Sequence, residues 1–166
     1  TADKMREVAS GHDGTWVAHP GLAALARSIF ERGLGGSPNQ LDKMPVGAVS
    51  AQDLYELVGG DITDEGLEKN ISVSLRYLSA WLSGTGCVPI NNLMEDAATV
   101  EIARSQIWQW IRHGARMADG RIITRELVAA KISDAEITTP ATQLFWSLAT
   151  GEEFPEFLTL AAYKFL

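Results

Sequence analysis

Cysteine is almost absent from this sequence. A single residue, Cys87, excludes an intramolecular disulfide and fits a reducing compartment, so the chain reads as cytoplasmic. Histidine is nearly as scarce. His12, His19 and His113 lack metal-ligand spacing, and with one cysteine they make no zinc site. No run of apolar residues approaches the roughly 18 that a membrane helix needs, and no membrane role is expected. Positive charge is in deficit: 14 Lys and Arg stand against 21 Asp and Glu, for a net charge of −7. That balance argues against non-specific nucleic-acid binding, which needs a basic face. It also makes the chain a poor electrostatic match for a polyanionic cofactor, whose phosphates would have to be held elsewhere. There is no GxSxG, Walker loop or G-x-G-x-x-G, no calcium loop around Asp61, Asp64 and Glu65, no internal repeat and no low-complexity segment. The opening Thr1-Ala2-Asp3-Lys4 lacks both the layout of a secretory leader and an initiator Met, which points to a true N-terminus further upstream. The closing Tyr163-Lys164-Phe165-Leu166 is not a Ser-Lys-Leu peroxisomal address.

What is present is apolar and mostly periodic at helical spacing. Hydrophobic residues make up 46% of the chain, enough for a real core. Thr15-Trp16-Val17-Ala18, between Gly14 and Pro20, reads as a short strand. Leu22, Leu25, Ile29 and Phe30 predict a helix over 21–34. Residues 33–49 read as loop, and Ser50 caps a short helix through Leu57. Thr63 is a good N-cap for a helix of about twenty residues whose Leu67, Ile71, Leu75, Leu78 and Leu82 form one apolar stripe. Residues 84–94 read as loop. A second long helix is expected from about Asp96 to His113, with Val100, Ala103, Ile107, Trp110 and Ile111 as its stripe. Asp119-Gly120 predicts a turn, Thr124 caps a helix through about Lys131, and two shorter helices fill 139–162, split near Gly151. The fold class is therefore mainly α: one strand-helix unit followed by a helical domain.

The stretch from Gly84 to Ala103, GTGCVPINNLMEDAATVEIA, is the most informative. Glu95 and Asp96 sit where a loop enters a helix, and the positive end of a helix dipole favours carboxylates there. Capping is the ordinary role of such residues. Acid–base work is the alternative, because the pair is flanked by Cys87-Val88-Pro89-Ile90 and Leu93-Met94, and apolar surroundings can set two carboxylates to different tasks. Trp16, beside His19, can wall a pocket or simply pack in a core.

These segments fall in a familiar order. GHDGTWVAHPGL, Pro38-Asn39-Gln40, Asn70-Ile71, Tyr77-Leu78, GCVPI, NLMEDAAT, Glu101-Ile102-Ala103-Arg104 and IWQWIRH resemble malate synthases of the shorter, A-type class. Phe157-Leu158-Thr159-Leu160 and Tyr163 resemble the end of those enzymes. The resemblance implies that residues 1–59 are the last part of a TIM barrel with its connecting segment. It implies that 60–166 are the helical C-terminal domain that plugs the barrel mouth, where barrel active sites lie. It further implies the glyoxylate-cycle reaction, a Claisen-type condensation of acetyl-CoA with glyoxylate, then hydrolysis to malate and CoA. In that reaction Asp96 would be the base, and Trp16, Pro20 and Cys87 would border the substrates. Mg²⁺ is implied as cofactor, held with an arginine by barrel residues outside this chain. The isolated chain, lacking that missing barrel portion as partner, is expected to be inactive. Residues 132–150 match poorly and look shortened, and Ala161 stands where the family often has proline. Two other readings stay open on the residues: a non-catalytic helical interaction module or subunit of a split enzyme, and a related CoA-ester condensing enzyme with another aldehyde acid.

Overall fold

A computed structural model describes residues 1–44, 47–56, 59–132 and 139–166. The chain forms two compact units, Thr1–Val58 and Gly59–Leu166.

The first unit is built on two helices, α1 (Ala2–Ala9) and α2 (Ala23–Leu34), which pack through Val8, Ile29 and Phe30. Their crossing depends on Gly33, because a Cβ there would lie 2.2 Å from Val8 Cγ1. Helix α1 is not anticipated by the sequence pattern: it buries only Val8 and is held by Asp3, Lys4, Arg6 and Glu7 paired along its surface. The connection from α1 to α2 is tied down by the Pro38-Asn39-Gln40 motif. The Gln40 side-chain amide donates to the carbonyls of Val8 (3.1 Å) and His12 (2.8 Å), and its backbone N–H donates to the Asp13 carboxylate (2.6 Å). A short 3₁₀ turn, Pro20–Leu22, precedes α2. Ser50 caps α3 (Ala51–Tyr55) through a complete capping box with Asp53; the predicted end at Leu57 lies outside the described residues.

The strand expected at Thr15–Ala18 does not form. A strand exists through the ladder it shares with a neighbour, and the described residues of this unit contain no second strand. Thr15 instead accepts a hydrogen bond from Lys4 Nζ (2.8 Å) through its hydroxyl.

The second unit is organised by three mutually packed helices: α4 (Asp64–Leu82), α5 (Ala97–Arg112) and α7 (Pro140–Thr150). Their stripes supply the core, with Leu67, Leu78, Val100, Ile107, Leu144 and Leu148 fully buried. Thr63, Thr124 and Thr139 each accept a backbone N–H at the starts of α4, α6 (Arg125–Ala130) and α7. Lys131 bridges Asp64 and Glu68, and Arg121 bridges Asp64 and Asp119, which ties α6 and the preceding turn to the start of α4. Helix α8 (Leu158–Ala162) and a closing 3₁₀ turn finish the chain. Residues 133–138, within the poorly matching stretch, lie outside the described residues.

The loop expected at 84–94 is instead a β-hairpin. Strands β1 (Val88–Ile90) and β2 (Leu93–Glu95) pair antiparallel, with Ile90 opposite Leu93 and Val88 opposite Glu95. Asn91 and Asn92 form the two-residue turn with φ of 50° and 63°. Asparagine tolerates that left-handed backbone, and a two-residue turn with both φ positive matches the twist of short hairpins.

Candidate active site

The hairpin delivers the chain directly into α5. β2 ends at Glu95, and Asp96 is the N-cap of the helix that begins at Ala97. Asp96 has extended backbone (φ −131°, ψ −173°), and its Oδ1 accepts the Ala98 N–H at 2.9 Å. Capping therefore holds for Asp96, but it engages one oxygen only. Oδ2 makes no hydrogen bond to the described residues, and the residue is exposed. A carboxylate fixed by one oxygen and open at the other is oriented and can still accept a proton.

Glu95 differs from its neighbour. It is a strand residue, not a helical one, it is half-buried, and its Oε2 accepts the Thr99 hydroxyl at 2.5 Å. Each carboxylate is thus held through one oxygen, and the two differ in burial: Glu95 is half-buried and Asp96 is exposed.

Cys87 directly precedes β1 and is exposed. Cys87 and Asp96 adjoin the last pair of the hairpin, Val88 and Glu95, at its open end. Tyr77 of α4 stands behind this open end. It is 1% exposed, and its hydroxyl donates to the Gly86 carbonyl at 2.8 Å. Burial pushes the Tyr77 phenol above its usual range, and Asp96 and Cys87 both add to that shift. Cys87 and Asp96 thus flank the open end of the hairpin, each near enough to Tyr77 to act on its phenol. Sequence reasoning did not single out Tyr77, because the stripe on its helix makes it look like ordinary core.

Trp16 and Pro20 belong to the first unit, where both are exposed, Trp16 at 95%. Trp16 therefore does not pack in a core within its unit. Pro20 opens the 3₁₀ turn, capped by His19 Nδ1 accepting the Gly21 N–H at 3.0 Å.

Further along α5, three residues hold the C-terminal segment. Arg104 is fully buried. It pairs with Glu101 (2.5 Å), donates to the Pro155 carbonyl (2.9 Å) and stacks over the Phe154 ring at 4.2 Å. Glu101 Oε1 accepts the Leu158 N–H (2.7 Å), and Trp108 Nε1 donates to the Gly151 carbonyl (2.8 Å). The EIAR and IWQW segments thus have a structural role, as a latch for residues 151–158. Among the described residues no cluster of His, Cys, Asp and Glu could hold a metal ion, and no helix is long and apolar enough to cross a membrane.

Comparison with known proteins covers almost the whole chain. The family model described as malate synthase, C-terminal, matches residues 61–166, and the one described as malate synthase, TIM barrel domain, matches residues 1–57. The chain is 46% identical to a malate synthase of Myxococcus xanthus, over 99% of this chain and 33% of that protein. It is 40% identical to malate synthase A of Escherichia coli K12, over 99% of this chain and 34% of that protein. It is 45% identical to a bifunctional glyoxylate cycle protein of Caenorhabditis elegans, over 98% of this chain and 18% of that protein. The chain thus spans about a third or less of the length of these relatives. The first two alignments run over 181 and 182 positions against 166 residues here, so the relatives carry residues without a counterpart in this chain.

Proposed function

The chain belongs to the malate synthase family, and from that premise we propose that it supplies the catalytic base of a malate synthase, with Asp96 in that role. The observation that carries the reading is an exposed, half-engaged carboxylate: Asp96 Oδ1 holds the α5 N-terminus and Oδ2 is open, whereas the neighbouring Glu95 is half-buried. In the proposed reaction Asp96 takes a proton from the methyl group of acetyl-CoA. The resulting enolate attacks the aldehyde carbon of glyoxylate, and the malyl-CoA formed is hydrolysed to malate and CoA. A thioester α-proton is far less acidic than a carboxylic acid, so the rate must come from positioning and from stabilising the enolate charge.

What the chain contributes is position. A rigid hairpin and a capped helix fix the carboxylate on both sides. In this reading Cys87 borders the acetyl end of the substrate, and Trp16 and Pro20, within residues 1–59 (the last part of the barrel and its connecting segment), are substrate-binding residues; residues 60–166 are the helical C-terminal domain. Mg²⁺ belongs to the proposed chemistry as the ion that polarises glyoxylate. The described residues offer it no ligand cluster, so its ligands are assigned to the barrel portion outside this chain, and no step here passes through it. We place the enzyme in the glyoxylate cycle and the cytoplasm.

The test is exchange of the acetyl-CoA methyl protons with deuterated solvent, in the full-length enzyme and in the presence of a non-reacting glyoxylate analogue. Asp96→Asn keeps a good N-cap but cannot accept the proton, so the fold should hold while exchange falls by about 10²–10⁴-fold. Glu95→Gln, with its oxygen committed to Thr99, should be milder. Exchange at the wild-type rate in Asp96→Asn would leave Asp96 as a cap and nothing more.

A further inference from the structure

Helix α4 reaches the hairpin at two places. Arg76 Nη1 donates to the Asn91 side-chain oxygen at the turn (3.0 Å), and Tyr77, the next residue, donates to the Gly86 carbonyl at the open end (2.8 Å). The two contacts differ in kind. Arg76 and Asn91 are exposed, and an exposed contact of this sort holds little. Tyr77 is 1% exposed, inside the core formed with α5 and α7. Its ring is immobilised by packing, so its hydroxyl is a fixed point from which the backbone at Gly86 is held.

That backbone matters because it leads straight to the site. Gly84, Thr85, Gly86 and Cys87 are all exposed, and Gly84 has φ of 91°. The backbone N–H groups of Gly84 and Thr85 are tied back to the Trp81 and Ala80 carbonyls at the end of α4, and the next tie along the chain is the one from Tyr77 to Gly86. Cys87 comes next, adjoining the Val88–Glu95 pair that Asp96 adjoins on the other strand. Asp96 is fixed from the α5 side by its cap; the opposite wall of the same opening is fixed by Tyr77.

We infer that Tyr77 is a positioning residue for the reaction: by holding the Gly86 carbonyl it sets the Cys87 wall against which the acetyl group is presented to Asp96. The inference rests on the assignment of Asp96 as base. Tyr77 touches neither substrate nor the proton; it acts through Gly86 and Cys87. Removing only the hydroxyl is well tolerated structurally, because Gly86 is exposed and its carbonyl can turn to water instead. Tyr77→Phe should therefore fold.

The experiment compares three variants of the full-length enzyme, Tyr77→Phe, Asp96→Asn and Val128→Ala, for kcat, acetyl-CoA KM, methyl-proton exchange and thermal stability. Val128 is fully buried on α6, remote in sequence from the hairpin, so its truncation controls for plain loss of stability. Misplacement of a reacting group is costly even when small, so Tyr77→Phe is expected to lower kcat and methyl exchange by about tenfold or more. KM should stay within about twofold, while Val128→Ala loses at least as much stability with unchanged kcat. If Tyr77→Phe turns over like the wild type, or no worse than Val128→Ala, Tyr77 is only core and the inference falls while the Asp96 assignment stands. If Asp96→Asn exchanges normally, the base assignment falls and takes this inference with it.

Discussion

Asp96 and Cys87 differ in what the sequence reveals about them. Asp96 is legible as a helix start, because a carboxylate between a loop and an apolar stripe has few other uses. Cys87 has no such signature, and its usual role is that of a small buried hydrophobe. The structure removes that role by exposing it, and the hairpin sets it and Asp96 on either side of the Val88–Glu95 pair's open end. If it lines the acetyl-CoA pocket, substrate should shield it. Alkylation of Cys87 in the full-length enzyme is expected to slow by severalfold or more when acetyl-CoA is saturating, with the modified peptide quantified by mass spectrometry. Equal labelling with and without acetyl-CoA would remove Cys87 from the pocket. Trp16 carries a comparable message. Tryptophan is costly to leave in water, and at 95% exposure it is the side chain of the first unit most in want of a cover.

At the scale of elements, the crossing of α1 and α2 offers a sharp test. Gly33→Ala gains helix propensity worth up to about 1 kcal/mol. It also drives a methyl into Val8 Cγ1, 2.2 Å from the new Cβ. Val8 is buried and β-branched, so it has little rotamer freedom to yield. Overpacking of this kind costs about 1–3 kcal/mol, so the clash should win and the first unit should lose stability. Denaturant unfolding checks the sign, and Val8→Ala in the same chain should recover most of the loss. A more stable Gly33→Ala would mean the crossing is loose. The elements themselves were unevenly legible. The stripes of α4 and α5 and the caps Ser50, Thr63 and Thr124 were readable because helix periodicity and capping are local. Helix α1 was not: it is only eight residues long and buries Val8 alone, so its apolar spacing at Met5, Val8 and Ala9 is a short signal. The hairpin was not either: its strands are three residues each, and Pro89 sits inside one, which normally argues against a strand. Asn91-Asn92 was the available signal. The strand at Thr15–Ala18 was over-read, because β-prone residues do not make a strand without a partner.

For the whole molecule, the chain spans about a third of the malate synthases it matches, and its described residues include no metal-ligand cluster. Asp96 alone cannot stabilise the enolate it would form. The purified chain, mixed with acetyl-CoA, glyoxylate and Mg²⁺, is therefore expected to release no free thiol above background. Turnover near that of an intact family enzyme would overturn the assignment of the remaining machinery to a barrel portion outside this chain.

The latch on α5 also carries an entropic cost of its own. The hydrogen bonds that shape the surroundings of Asp96 join residues 2, 4, 9 and 15 positions apart. Those that fasten the C-terminal segment to Glu101, Arg104 and Trp108 join residues 43 to 57 apart. Closing a loop costs entropy that grows with the logarithm of its length. The hydrogen bonds around Asp96 thus close short loops at low entropic cost, whereas those that fasten the tail close long ones, so the tail is the more expensive part of this unit to bring into place.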